Sequence, residues 1–119
     1  MYKVKELSSN RFNKSIALSG CPVTFTLDRI GGRWKVLILY QLSTGPKRYG
    51  VIRKAIPPIS EKMLIEKLKE LEADRLIVRK AEAIIPPKVT YHLAEAGIAL
   101  GPILKAMADW GSSYMKKGV

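Results

Sequence analysis

Cysteine and histidine are the scarcest reactive residues in this chain, one of each among 119. A single cysteine excludes an internal disulfide, and together the two fall short of the three or four ligands that a zinc site takes. No metal and no cofactor is expected. Long apolar runs are also missing. Nothing approaches the roughly 18 residues of a membrane-spanning helix, and the opening MYKVKELSSNRFNKS lacks the apolar stretch of a secretory leader. A cytoplasmic protein with no membrane partner is expected. At 47% hydrophobic composition, 119 residues support one modest core rather than two. The chain therefore divides into an N-terminal arm, residues 1–20, expected to be partly disordered, and a single domain over residues 21–117.

Acidic residues are the other shortage. Ten Asp plus Glu face 21 Lys plus Arg, a formal charge of +11, with a pI near 10.0. Such a balance points to an anionic partner, most often nucleic acid, without saying which polymer. Residues 47 to 90 hold 11 of the basic residues but also 6 of the acids. A solvated basic surface is the plainer reading of the count alone, so position has to decide.

Prolines and glycines divide the chain. In CPVTFTLDRIGG, Pro22 suits the first turn of a helix, where a missing N–H costs nothing. That makes Cys21 the N-cap and Gly31-Gly32 the stop. RWKVLILYQLSTGP reads as a second helix with Trp34, Leu37, Ile38 and Leu42 as its stripe, widened by Val36 and Leu39, and stopped by Gly45-Pro46. Val51, Ile52, Ala55 and Ile56 repeat at helical spacing in a third, until Pro57-Pro58 forbid continuation. Ser60 caps a fourth, whose Leu64, Leu68 and Leu71 fall at i, i+4 and i+7 beside Met63. The pattern then changes to a period of two: Val89, Tyr91 and Leu93 alternate with Thr90 and His92, and Pro86-Pro87 mark a bend between two strands. Leu100, Ile103, Leu104, Met107, Trp110, Gly111 and Tyr114 line one side of a terminal helix.

Catalytic chemistry finds little to work with. His92 lies on the outward side of its strand and no nucleophile has a partner. Glu61, Glu66 and Glu70 are interleaved with Lys62, Lys67 and Lys69, which i to i+4 ion pairing explains. Gly31-Gly32 has neither the preceding strand nor the spacing of a phosphate loop. The chain is not expected to be an enzyme.

Two short helices across a tight turn form a helix-turn-helix, and a basic hairpin directly after it makes a winged helix. The expected fold is α+β: a mostly helical winged helix-turn-helix domain with a two-stranded β-hairpin wing and a C-terminal dimerisation helix. A helix of roughly 10–12 Å diameter fits a duplex major groove of about 12 Å. An amphipathic helix with a solvated charged face is the plainer reading of residues 60–74 by themselves, but the hairpin and the net charge favour DNA. An RNA-binding winged helix would need exposed aromatic residues for stacking, and none occurs between Ser60 and Arg75.

The segments CPVTFTLDRIGGRWKVLILYQL, RYGVIRKAIPPISEKMLIEKLKELEADRLIVRK, IPPKVTYHLAEAG and LKAMADWG, in this order and spacing, resemble the HxlR-type winged-helix transcriptional regulators, relatives of the MarR type. The likeness runs from about Cys21 to Gly111. It implies a homodimer on a pseudo-palindromic double-stranded operator, recognition by the fourth helix, and dimer contacts from the first and last helices. Some members sense electrophiles or oxidants through a cysteine at the position of Cys21. The chain departs from the pattern where the family usually has Gly (Arg75 and Pro58 here), a small hydroxyl residue (Ile65) and Thr (Ala94). A left-handed Arg75 would bear about 1–2 kcal/mol of strain, and Ala94 removes a cap worth about 1 kcal/mol.

The site expected on these grounds comprises Lys47, Arg48, Arg53 and Lys88 on phosphates or in the minor groove. Ser60, Glu61, Lys62 and Ile65 face base edges, and Lys69 lies further along the same helix. The dimer interface is expected from Val23, Leu27, Leu100, Ile103, Leu104, Met107, Trp110 and Tyr114, since the terminal stripe is more apolar than a lone surface helix requires. Cys21, at the positive end of a helix dipole, is the candidate redox-sensing residue, with Arg29, Arg33 and Lys35 as further sources of positive potential.

Overall fold

The computed structural model describes residues 20–118. All but the last residue of the arm expected over 1–20 lies outside the described residues. The first helix, α1 (Pro22–Ile30), is capped by Cys21 in extended conformation and carries proline in its first turn. It ends at Gly31, whose N–H donates to the Leu27 carbonyl oxygen at 2.7 Å. A Cβ at position 31 would run into that same carbonyl, so only glycine fits. The second helix, α2 (Arg33–Leu42), buries Ile38, Leu39 and Leu42.

Next come a two-residue strand, β1 (Lys47–Arg48), and the short helix α3 (Tyr49–Ala55). Ser60 then opens α4 (Glu61–Ala73) by accepting the Met63 N–H at 3.0 Å, which satisfies one of the four amides a helix start leaves without an intrahelical partner. The hairpin strands are β2 (Ile77–Glu82) and β3 (Lys88–Leu93), followed by the short α5 (Glu95–Ile98) and the terminal α6 (Gly101–Met115). Ala94 caps α5 with no side-chain hydrogen bond.

The wing is larger than the expected two strands. The sheet is three-stranded and antiparallel in the order β1-β3-β2, with Lys47 opposite Tyr91 and Arg48 opposite Thr90. After Gly45-Pro46 the chain runs extended along the free edge of β3, and two residues are too few to carry a period that sequence could reveal.

Ile38, Leu39, Ile52, Leu64 and Leu71 have no exposed surface and form the centre of the core with Leu42, Leu68 and Ile77. Each such side chain stabilises by about 1.5–3 kcal/mol over leaving it in water. Among the described residues no polar or charged residue is buried. Two expected stripe positions turn outward: Leu37 on α2 and Val51 on α3 are exposed, because Ile38-Leu39 and Ile52-Ile56 already fill the inward arc. Leu104 is in the core and Leu100 packs against it. Leu104 therefore has no surface to offer a second chain, contrary to the expected interface. No helix among the described residues is long and apolar enough to cross a membrane.

Candidate nucleic-acid interface

The first turns of α4 are held by two contacts. Ser60 caps the helix, and the Arg53 guanidinium of α3 lies 4.0 Å from the Glu61 carboxylate, joining the two helices across the turn Ile56–Ser60. Glu61, Lys62, Ile65 and Lys69 are exposed, with Ile65 40% accessible although it is a large aliphatic residue. The helix thus presents a cation, an aliphatic side chain and a second cation on one exposed line, Lys62, Ile65 and Lys69, at i, i+3 and i+7.

Behind this turn, α4 is anchored rather than free. Glu70 accepts both Lys35 of α2 and Lys67 of its own helix, each at 3.2 Å. The acids of α4 were expected to pair along their own helix. Glu70 does so with Lys67, but Glu61 and Glu70 also pair across helices, because the turn and the α2–α4 packing bring Arg53 and Lys35 closer than sequence spacing suggests.

On the sheet, Arg48 is exposed opposite Thr90, and Thr90 also pairs with Lys80. Cross-strand partners share a face, so Arg48, Thr90 and Lys80 form one row. Lys88, opposite Glu82, lies on the same face two positions along. Lys47 is paired with Tyr91 instead, and its ammonium donates to the Thr44 hydroxyl at 2.8 Å. Sequence reasoning found Arg48 and Lys88 but missed Lys80. Its signal, a cation in the run LIVRKAE, becomes meaningful only once the register sets it beside Arg48.

At the other end of the molecule, the Cys21 sulfur accepts the Thr24 amide at 3.5 Å. Hydrogen bonds from the Thr24 side chain and then its backbone hold the thiol below its ordinary pKa, with a smaller contribution from the Val23 amide; slight desolvation opposes them. The expected cationic neighbours are engaged elsewhere. Arg29 pairs with Asp28 and stacks over the Phe25 ring at 3.5 Å, Arg33 lies over Trp34, and Lys35 holds Glu70. The activation of Cys21 is therefore local to the helix cap.

Beside it, α1 and α6 enclose an open apolar groove of about 480 Å³ lined by Val23, Leu27, Ile30, Val36, Ile103 and Met107, among others. Its Val23, Leu27, Ile103 and Met107 are exposed, and further along α6 the exposed Trp110 stacks on Tyr114 at 4.9 Å between ring centroids.

Residues 29–119 match the HxlR-like helix-turn-helix family. The chain belongs to that family. The HTH-type transcriptional regulator YdeP of Bacillus subtilis is 48% identical over 95 residues, covering 80% of this chain and 74% of YdeP. Among solved structures, the redox regulator HypR in its oxidized form is 46% identical with a TM-score of 0.76, covering 78% of this chain and 96% of HypR. The reduced form of the transcriptional regulator YodB from Bacillus subtilis is 39% identical with a TM-score of 0.70, covering 83% and 98%. As an HxlR-like domain, the helix pair α3–α4 is the helix-turn-helix and the three-stranded sheet is the wing. Among the described residues no group of three His, Cys, Asp or Glu side chains is arranged to hold a metal ion.

Proposed function

We propose that this chain is a cytoplasmic transcriptional regulator, without enzymatic activity, that binds a pseudo-palindromic double-stranded operator as a homodimer and is controlled through Cys21. The observation that carries the DNA reading is the start of α4: a capped helix end, pinned to α3 by Arg53 and Glu61, with Lys62, Ile65 and Lys69 exposed next to a basic sheet. Ser60, Glu61, Lys62 and Ile65 read base edges, and Ile65 packs on a thymine methyl. Lys47, Arg48, Arg53, Lys69 and Lys88 position the protein on phosphates, which carry no sequence information.

The homodimer rests on the α1–α6 groove. Its exposed Val23, Leu27, Ile103 and Met107, with Trp110 exposed further along α6, suit a mate that buries the same surfaces by twofold symmetry. The two recognition helices then address half-sites about 10 bp apart. Thiol control is supported by the lowered pKa of Cys21 and by similarity to the redox regulators. Addition of the thiolate to a quinone forms a C–S bond and leaves a hydroquinone thioether. An oxidant that accepts two electrons instead joins Cys21 of the two subunits as a disulfide. With one cysteine per chain, an internal disulfide is excluded.

The test is selection of bound duplexes from a random DNA pool, followed by sedimentation of the protein free and on the selected duplex. A twofold-symmetric logo and a dimer are expected, with affinity falling about 10³–10⁵-fold between 50 and 200 mM salt for 6–10 phosphate contacts. A monomer at micromolar concentration in both states, or a flat salt response, would contradict the reading.

A further inference from the structure

Tyr49, at the start of α3, carries one atom that the core does not account for. Its ring packs against the core, yet its phenol oxygen is buried with no hydrogen-bond partner among the described residues. A buried hydroxyl left unpaired is costly, and phenylalanine would fill the same space without it. Burial is the main cause that raises the pKa of this phenol, and the Glu61 carboxylate is the next, opposed by Arg53 and reinforced by Tyr91. The oxygen therefore lies within the field of the Arg53–Glu61 pair.

Tyr49 and Arg53 stand at i and i+4 on α3 and so share one face of that helix. Arg53 meets Glu61 at 4.0 Å, the outer limit of an ion pair, and both side chains are largely exposed. A contact of that length and exposure is weak. A duplex backbone offers the guanidinium a dense row of anionic oxygens, and Arg53 leaves Glu61 when it takes one of them. Glu61 then stands at the first position of α4 with its charge no longer paired, and the Tyr49 hydroxyl is the free donor beside it.

We propose that Tyr49 is a positioning residue for base readout: on DNA, Arg53 moves from Glu61 to a phosphate, the Tyr49 hydroxyl donates to one Glu61 carboxylate oxygen, and the other oxygen accepts the N4 amino group of a cytosine. Cytosine presents that donor without the N7 acceptor that adenine carries beside its own amino group, so a fixed carboxylate favours cytosine. The phenol oxygen is thus unpaired in the free protein because its partner is engaged by Arg53. The inference rests on the DNA-binding reading above and adds to it the residue that fixes Glu61 and the base that Glu61 selects.

The test uses the full chain and the duplex it selects from a random pool. The parent logo should hold a cytosine at one position of each half-site, and Tyr49→Phe should weaken that single preference about tenfold, leaving the other positions and the salt slope unchanged. Glu61→Ala should lose the same preference, and the double substitution should lose no more than Glu61→Ala alone. Arg53→Ala should lower the salt slope and keep the cytosine. With tyrosine labelled by carbon-13 at Cζ, the Tyr49 resonance should shift when the parent binds its duplex and stay in place for Glu61→Ala. That comparison leaves Tyr49 intact, so it decides the matter even if Tyr49→Phe fails to fold by circular dichroism. An unchanged logo for Tyr49→Phe, additive losses in the double substitution, or the same Cζ shift without Glu61 overturns the positioning role while leaving DNA binding intact. Failure of the parent to select any duplex removes the DNA reading and this role with it.

Discussion

Leu76 donates its amide to the Leu71 carbonyl oxygen at 3.0 Å, closing the end of α4, and this is possible because Arg75 between them adopts the left-handed conformation at φ 62°. The Arg75 amide donates to Glu72 at 3.0 Å, so both bonds of a Schellman cap are made, and Leu71 and Leu76 are buried together. The cap geometry is retained although glycine is not, which means the fold offsets the steric cost of a Cβ. Arg75→Gly should therefore raise unfolding stability by about 1 kcal/mol, read as a higher denaturant midpoint with unchanged slope. A lower midpoint would mean that the arginine side chain contributes more than its backbone costs.

Tyr49 starts α3 with its phenol oxygen buried and without a hydrogen-bond partner among the described residues, and burial pushes its pKa up. The ring packs against the core, so the hydroxyl is the costly part. Tyr49→Phe should be neutral or stabilising, up to about 1 kcal/mol, because an unpaired buried hydroxyl costs about that much or more. A clear loss of stability at fixed protein concentration would reveal a partner for the phenol.

Asp74 caps the C-terminal end of α4, where the helix dipole disfavours a negative charge. Desolvation raises its pKa, with Lys35 and Arg29 opposing and Asp28 and Glu70 reinforcing. A carboxyl raised in the folded state makes the charged form unfavourable there. The penalty is full above the folded pKa, shrinks as pH falls through it, and is gone below the unfolded value of about 3.9. Asp74→Asn should stabilise by roughly 0.5 kcal/mol at pH 7, since the group is only partly buried and solvent screens its charge. The gain should fade towards acid. An equal gain at pH 7 and at about pH 3, below the unfolded carboxyl value, would assign it to the amide's own capping rather than to charge.

The elements most legible in sequence were those set by local chemistry: Pro22 and Gly31 around α1, Ser60 before α4, and the Leu64, Leu68, Leu71 stripe. The period identifies a stripe but not its width, which is why Leu37 and Val51 were placed inward when they lie outside its edge. Contacts between elements were illegible. Nothing in the order of residues tells that Glu70 meets Lys35, or that Arg48, Thr90 and Lys80 line up across three strands, because these depend on packing and register. Leu104 and Met107 lie three residues apart on α6, yet one is core and the other faces the groove.

Cys21 gives the last prediction. Its hydrogen bonds from Thr24 favour the thiolate and exist only in the folded helix cap, so the thiol should titrate lower in the folded chain than in urea. The rate of iodoacetamide alkylation, in which the thiolate displaces iodide, should reach half its maximum at a lower pH for the native protein. The linkage follows the same sign: the cap stabilises the fold fully above the unfolded thiol pKa of about 8.5, and this contribution is lost as pH falls through the folded value. Cys21→Ser should fold at least as well, because serine is a strong N-cap. Treated with a quinone, the parent should lose affinity for its selected duplex by about tenfold or more, equivalent to about 1.4 kcal/mol, since a bulky thioether at the head of α1 disturbs the groove that a second subunit would cover. Cys21→Ser should be unaffected by the same treatment. Equal loss in both proteins, or none in either, would leave Cys21 as a helix cap alone.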